Sequence, residues 1–381
     1  MNLKHWIGIF FASRFDTATA DEFIHKQVHK RLPPHTGWLH VFGSLSLLLF
    51  ISQTITGILL LIYYRPTPDE AHKSIQYITA EVNFGWLYRQ IHAWGGSLMI
   101  LAVVLHMMRT YFWGAYKKPR ELTWFTGVLI FLTTITFGFT GYLLPWNQVA
   151  FWATTVGTES ASKIPLVGEW LRYFIRGGEV VTGETLSRFF VLHVILLPWI
   201  LTGLLVVHLF LMRVTNLATM EPVGEEKPVD PKHGIPFYPV HVCKEGIVAV
   251  VLLAALVTLA VLAPWEIGEP ANPLVTPEHI KPEWYFLPSY QLLKYFEGPY
   301  GPFIGILACS LPFALLLLWP FLDRGKHRHP RKRPIAVSFG LLGLLAAVVL
   351  GGLGHLSETE QTFFGNRYHI DHYGVPHRVD H

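Results

Sequence analysis

The chain has 381 residues, of which 51% are hydrophobic and 15% charged, with a mean hydropathy of +0.36. That balance is too apolar for an ordinary soluble domain and points to a membrane as solvent. A net charge of +4 gives no support to nucleic-acid binding. The distant pair Cys243 and Cys309 excludes a disulfide framework and a C-x-x-C-H covalent heme site.

Residues 1–34 mix Lys4, Arg14, Asp16, Asp21, Glu22 and Lys26 with short apolar stretches and lack a signal-peptide core, so they read as an N-terminal segment on the negative side. A helix needs about 20 mostly apolar residues to cross a bilayer. Seven segments qualify, at roughly 38–63, 91–111, 123–144, 189–212, 246–264, 303–322 and 335–353. Apart from Arg109, they contain no Asp, Glu, Lys or Arg. The expected fold is an all-α membrane protein of seven transmembrane helices.

Orientation follows from the loops that hold Lys and Arg. Lys117, Lys118 and Arg120 follow the second span, and Arg324, Lys326, Arg328, Arg331, Lys332 and Arg333 follow the sixth. These loops, the N-terminal segment and the fourth connection belong on the negative side, and the basic run 324–333 reads as topogenic. The connections 145–188 and 265–302 are too long for simple turns and are expected to carry structure on the positive side. Prolines at 222, 228, 231, 236 and 239 mark a linker, 219–245, between a four-helix part (35–218) and a three-helix part (246–355). Residues 356–381 read as a polar, solvated tail, with His369, His372, His377 and His381 as weaker metal candidates.

Ionisable residues inside spans are functional candidates by default. The second span holds His92 and His106, 14 residues apart and hence on nearly one helix face; the fourth holds His193 and His208, 15 apart. A bulge or kink at Pro198 would bring the second pair into phase. The two spans run parallel, so His92 pairs with His193 near the positive side and His106 with His208 near the negative side. Facing imidazoles across a bundle suit a bis-histidine heme iron. The plain alternative is four hydrogen-bonded packing histidines.

Gly43 and Gly57 in the first span, and Gly127 and Gly141 in the third, are also 14 apart. Bare backbone at that period suits two flat macrocycles at two depths, although small residues serve helix packing as well. Arg89 and Arg109, each three residues from a histidine, are propionate candidates or ordinary interfacial anchors. The first four spans thus form the expected heme-binding bundle.

The segments Gly85-Trp-Leu-Tyr-Arg-Gln-Ile-His92, Lys118-Pro-Arg-Glu-Leu-Thr-Trp124 and Gly138-Phe-Thr-Gly-Tyr-Leu-Leu-Pro-Trp146 resemble cytochrome b of respiratory and photosynthetic bc-type complexes. Pro282-Glu283-Trp284-Tyr285 matches that family's quinol-oxidation motif. The resemblance runs from about residue 15 to about residue 355 and is mixed. Tyr63-Tyr-Arg-Pro-Thr67, Gly268-Glu-Pro-Ala271 and the histidine interval of 15 are similar to the photosynthetic type, here with its two chains fused. Ile235-Pro-Phe-Tyr-Pro239, Lys244 and Glu245 are similar to the respiratory type. Together they imply a multi-pass subunit of a prokaryotic inner membrane.

After Leu32-Pro-Pro-His35, Val41 stands where the photosynthetic type has a heme-attaching cysteine, so no covalent heme is expected. Arg213 replaces the respiratory type's quinone-site histidine, leaving Arg213 and Glu245 as candidates for a negative-side quinone site.

The resemblance implies two noncovalent b hemes and a protonmotive quinone cycle, with quinol and quinone as substrates. One quinol electron goes to a Rieske iron–sulfur protein and on to a c-type cytochrome or equivalent acceptor. The other crosses the membrane through the hemes. Glu283 is expected to take a proton, and Pro282, Tyr285 and Tyr142 to position quinol; the assembly is expected to be a homodimer in membrane lipid. The rival function is a diheme membrane anchor passing electrons from a dehydrogenase to quinone, which needs no Pro282–Tyr285 motif.

Overall fold

Apolar runs of this length fold as helices because hydrocarbon offers the backbone no hydrogen-bonding partner of its own. A computed structural model of the chain describes residues 3–14, 16–278 and 280–379. Helices α1 (Leu3–Ala12) and α2 (Thr17–Val28) precede the first span, α3 (Phe42–Leu61). After α4 (Ala71–Ala80) come the second and third spans, α5 (Gly85–Phe112) and α6 (Glu121–Leu143). The 145–188 connection carries α7 (Gln148–Ser162) and α8 (Gly168–Arg176). The fourth span combines α9 (Gly183–Val191) with α10 (Leu197–Thr215), and the fifth is α11 (Val242–Leu262) with the turn before it. Helix α12 (Leu287–Lys294) leads to the last two spans, α13 (Gly301–Leu322) and α14 (Pro334–Leu356). All seven expected spans are present among the described residues.

Their outer faces are apolar and uncovered: Ile55, Val206 and Leu345 are each more than half exposed, as side chains turned to lipid are. At mid-depth Leu49, Met99, Ala102, Ile130, Leu201, Leu252 and Leu256 pack together. The first five of these lie along their helices between the histidine and glycine positions, so an apolar layer separates the two polar depths.

Between α9 and α10 the backbone makes a π turn over Leu192–Leu196, which contains His193 and ends before Pro198. Proline lacks the N–H that would bond the carbonyl four residues back. The wider turn absorbs one extra residue, so an interval of 15 presents its two histidines much as an interval of 14 does.

The connections sort by end. At one end, Arg328 donates to the Lys118 carbonyl and the Glu226 carboxylate, and Arg120 to the Thr215 carbonyl. Asp323 accepts from Tyr116 at 2.6 Å, Lys117 at 2.7 Å and Arg333 at 2.8 Å. Burial acts to raise the Asp323 carboxyl, but the bonds from Lys117 and Tyr116 and the Arg333 charge hold it below its ordinary value. The basic run is therefore more than topogenic, since Arg328 is fully buried and Arg333 nearly so. Two-residue strands β1 (Arg31–Leu32) and β2 (Ile235–Pro236) pair antiparallel and tie the N-terminal segment to the linker. At the other end Asn147 bridges to Pro270, and Gln90 donates to the Trp265 carbonyl at 2.9 Å.

The tail is largely exposed, as a solvated segment would be, but it is folded. Strands β3 (Thr359–Phe363), β4 (Asn366–Ile370) and β5 (Pro376–Arg378) form an antiparallel sheet in the order β3-β4-β5. Tyr295 donates to the Tyr373 carbonyl at 2.9 Å and Lys294 to Ser357 at 2.9 Å, which fasten the sheet to α12.

Replacing Asp323 by Asn leaves Lys117 and Arg333 buried without their counter-charge, and breaking a buried pair costs about 3 kcal/mol or more. The Asp323→Asn protein in detergent is expected to unfold at a clearly lower temperature than wild type. An unchanged midpoint contradicts this ion cluster.

Candidate functional site

Each of the four histidines of the second and fourth spans meets one glycine. A Cβ added at Gly57 would lie 3.3 Å from the His92 ring, and one at Gly141 only 2.5 Å from the His193 ring. At the other depth a Cβ at Gly43 would lie 3.1 Å from His106, and one at Gly127 would lie 3.3 Å from His208. The glycines thus let the rings and their surroundings come up against bare backbone.

The His92 and His193 ring centroids are 6.3 Å apart, with the planes at 71°. Two imidazole–metal bonds of about 2 Å each put ring centroids roughly 6 Å apart across one ion. His106 and His208 lie within electrostatic reach of each other and line one cavity of about 350 Å³. The residues present fit a pair of bis-histidine hemes.

Three threonines that the sequence reading missed hold three of these rings. Thr56 Oγ1 is 2.9 Å from His92 Nδ1, Thr126 Oγ1 is 3.0 Å from His208 Nδ1, and Thr140 Oγ1 is 3.1 Å from His193 Nδ1. Each hydroxyl donates to the carbonyl four residues back, of Ser52, Leu122 and Thr136 respectively. Its oxygen is left to accept, so the ring proton sits on Nδ1 and the Nε2 lone pair is free for a metal. The signal in the sequence is a Thr-Gly dipeptide at 56–57, 126–127 and 140–141.

The arginines behave differently. Arg89 donates to the Trp265 carbonyl at 3.1 Å, at the rim of the bundle. Arg109 is buried beside the His106 cavity, with Nη2 against His40 Nε2 and Nε without a protein partner among the described residues. The same cavity reaches Lys30, Arg213, His241 and Glu245, with His241 Nε2 3.5 Å from the Glu245 carboxylate. The structure therefore brings Arg213 and Glu245 into one space with His106 and His208. His40 and His241 join them there, unforeseen because neither lies in a recognisable pattern.

At the opposite end Pro282 opens a turn in which the Phe286 amide donates to the Glu283 carbonyl at 2.8 Å. A Cβ at Gly138 would lie 2.7 Å from the Tyr285 hydroxyl, so the tyrosine lies directly on α6. Tyr142 and Tyr285 are both within electrostatic reach of Glu283. Lys281, next to the motif, donates to the carbonyls of His355 at 2.6 Å and Ser357 at 2.7 Å and anchors the turn to the end of α14. Burial raises the Glu283 carboxyl above its ordinary value. Burial, then the Glu283 charge, raises the Tyr285 hydroxyl further from ionisation.

Seven spans around facing pairs of histidines, three of them hydrogen-bonded to threonine, define an integral membrane helical bundle suited to a redox cofactor. Comparison with known proteins makes the class specific. The family described as Cytochrome b/b6/petB matches residues 27–216, and Cytochrome b(C-terminal)/b6/petD matches residues 270–371. A cytochrome bc complex cytochrome b subunit of Chlorobaculum thiosulfatiphilum is 45% identical over 83% of this chain and 73% of its own. Cytochrome b of Rickettsia conorii is 38% identical over 86% of this chain and 81% of its own. A solved structure described as hyperthermophilic respiratory Complex III superposes with a TM-score of 0.83 at 34% identity, covering 90% of this chain and 91% of that one. The chain belongs to the cytochrome b family, as the cytochrome b subunit of a bc-type, quinol-oxidising complex. It is thereby a multi-pass, heme-b-binding electron carrier. The match to residue 371 also carries the likeness past the limit near 355 and into the tail sheet.

The raised Glu283 carboxyl keeps its proton in the folded state at pH values where the unfolded chain has lost it. Its contribution to stability is complete below the ordinary value of 4.5 and is lost as pH rises through the folded-state value. The stability of Glu283→Gln relative to wild type is therefore expected to increase as pH rises above 4.5 and to level off once pH has passed the folded-state value. Thermal melts across that range check it, and a difference that stays flat contradicts the burial of this carboxyl.

Proposed function

We propose that the chain binds two noncovalent b hemes, one on His92 and His193 and one on His106 and His208, and works in a protonmotive quinone cycle. The observation that carries this reading is the repeated contact of four histidines with four glycines at two depths, with the proton of three rings fixed on Nδ1. The hemes, when bound, supply one-electron carriage across the membrane. The protein's part is to hold, orient and insulate.

Arg89 and Arg109 are suited to the propionates. Among the described residues Arg89 donates to the carbonyls of Trp265 and Glu266, which a carboxylate would outcompete as a charge-assisted acceptor. Arg109 has a donor to spare. The apolar layer around Leu49 and Leu201 keeps water from the path between the two depths.

Quinol oxidation yields two electrons and two protons. At the Pro282–Tyr285 end, Tyr142 and Tyr285 position the headgroup, and the Glu283 carboxylate takes a proton that buried surroundings would otherwise strand. One electron leaves to a Rieske iron–sulfur partner and then to a c-type cytochrome or equivalent acceptor. Quinone is reduced on the negative side, in the cavity of Arg213 and Glu245.

The division of labour follows the chain. The part from 35 to 218 holds the histidines, 246–355 brings Glu283 to them, and 1–34, the 219–245 linker and the 356–381 tail brace the two ends. The complex is a homodimer in a prokaryotic inner membrane. The structured motif around Glu283 favours this cycle over a simple diheme anchor, which has no use for it.

Two variants test the reading. His106→Leu should remove one heme from the reduced-minus-oxidised spectrum and leave the other, and retention of both would refute the ligand assignment. Glu283→Gln should keep both hemes and slow quinol oxidation by about 10²-fold, the usual worth of a positioned base; unchanged turnover in an assembled complex would sink the role of Glu283.

A further inference from the structure

Three of the four histidine sites share a pattern that the fourth breaks. Gly57, Gly127 and Gly141 are each preceded by a threonine, whereas Gly43 is preceded by Phe42. His106, which faces Gly43, has a buried Nδ1 with no hydrogen-bond partner among the described residues. Ser44 is one residue away, but its hydroxyl donates to the Val41 carbonyl at 2.9 Å. The backbone explains why the pattern stops here. At the other three sites the residue before the glycine lies well inside a helix, and its hydroxyl bonds the carbonyl four back. Phe42 is the first residue of α3, preceded by a short 3₁₀ turn over Trp38–His40.

We infer that Phe42, by leaving the His106 Nδ1–H without an acceptor, raises the reduction potential of the negative-side heme relative to the positive-side one. This rests on the ligand assignment proposed above. An imidazole that ligates through Nε2 and gives its Nδ1–H to an acceptor becomes a more basic, more electron-donating ligand. Greater donation favours the oxidised iron, and hydrogen bonding behind the ligand is one of the levers a protein has on heme potential. Both positive-side ligands are so bonded, His92 by Thr56 and His193 by Thr140. On the negative side only His208 is, by Thr126. The count of two against one makes the positive-side heme the weaker electron acceptor, so an electron is drawn toward the negative side. The Arg109 guanidinium beside His106 acts in the same direction, and it is left intact in the variants below.

The test is a potentiometric titration of the assembled complex, following the two hemes separately by their optical bands. Thr56→Val removes an acceptor in nearly the same volume and should raise the positive-side midpoint alone. Phe42→Thr supplies a hydroxyl behind His106 and should lower the negative-side midpoint alone. Each change is expected to shift the electron's distribution between the hemes by about tenfold, which is about 59 mV for one electron. Opposite, heme-specific shifts support the inference. If Thr56→Val leaves the positive-side midpoint unmoved, or moves both hemes alike, the inference is overturned even where both hemes are present. Loss of the ligand reading would show differently, as a His106→Leu complex that keeps both heme bands.

Discussion

An imidazole in hydrocarbon is costly unless both of its nitrogens have something to bind. Much of the layout of the first four spans follows from meeting that requirement at three histidines, His106 being the exception. A threonine one turn away, itself tied to its own helix, takes the Nδ1 proton of His92, His193 and His208. Nε2 is then left with a lone pair free to accept a hydrogen bond or to ligate a metal. The glycine after each threonine makes room for the ring. Even the π turn at Leu192–Leu196 serves the same end, because without it His193 and His208 would diverge by about 60° on an ideal helix.

The two ends of the molecule solve different problems with different chemistry. The basic end buries arginines and pairs them, with Asp323 and Glu226 as the counter-charges and backbone carbonyls filling the remaining donors. Beside this cluster lies the cavity that joins the His106 depth to Arg213, His241 and Glu245. The opposite end half-buries a carboxyl, Glu283, and that burial raises it above its ordinary value. A group so placed keeps its proton more readily than an exposed glutamate does, which suits a site that must accept a proton and then release it. Lys281 and the tail sheet hold this region against α14 and α12, so the turn bearing Glu283 is braced from behind.

Hydropathy made the seven spans legible because a membrane imposes length and composition at once. Their ends were less so. The second span starts at Gly85, earlier than the apolar run, since Arg89 and Gln90 remain helical by bonding the Trp265 carbonyl. The fifth starts at Phe237, with the turn that leads into α11, and Lys244 and Glu245 lie in the first turn of that helix. The histidine and glycine intervals were readable as periodicity, and the Pro282–Tyr285 motif as resemblance. The threonines were not, because a hydroxyl on an apolar helix looks like packing until its partner is known. The buried roles of Arg328 and Arg333 were hidden for a similar reason: a basic run reads as topology unless the acceptors, 100 residues or more away for Glu226 and Lys118, are seen. The tail sheet escaped because its strands are short and polar.

The central claim is that one chain holds two hemes by histidine alone. The direct measurement is the ratio of heme to polypeptide in the purified complex, followed by the fate of that heme on denaturing extraction. The account predicts two b hemes per chain, all released, with none left on the polypeptide. A ratio of one, or heme that stays with the denatured chain, would contradict it.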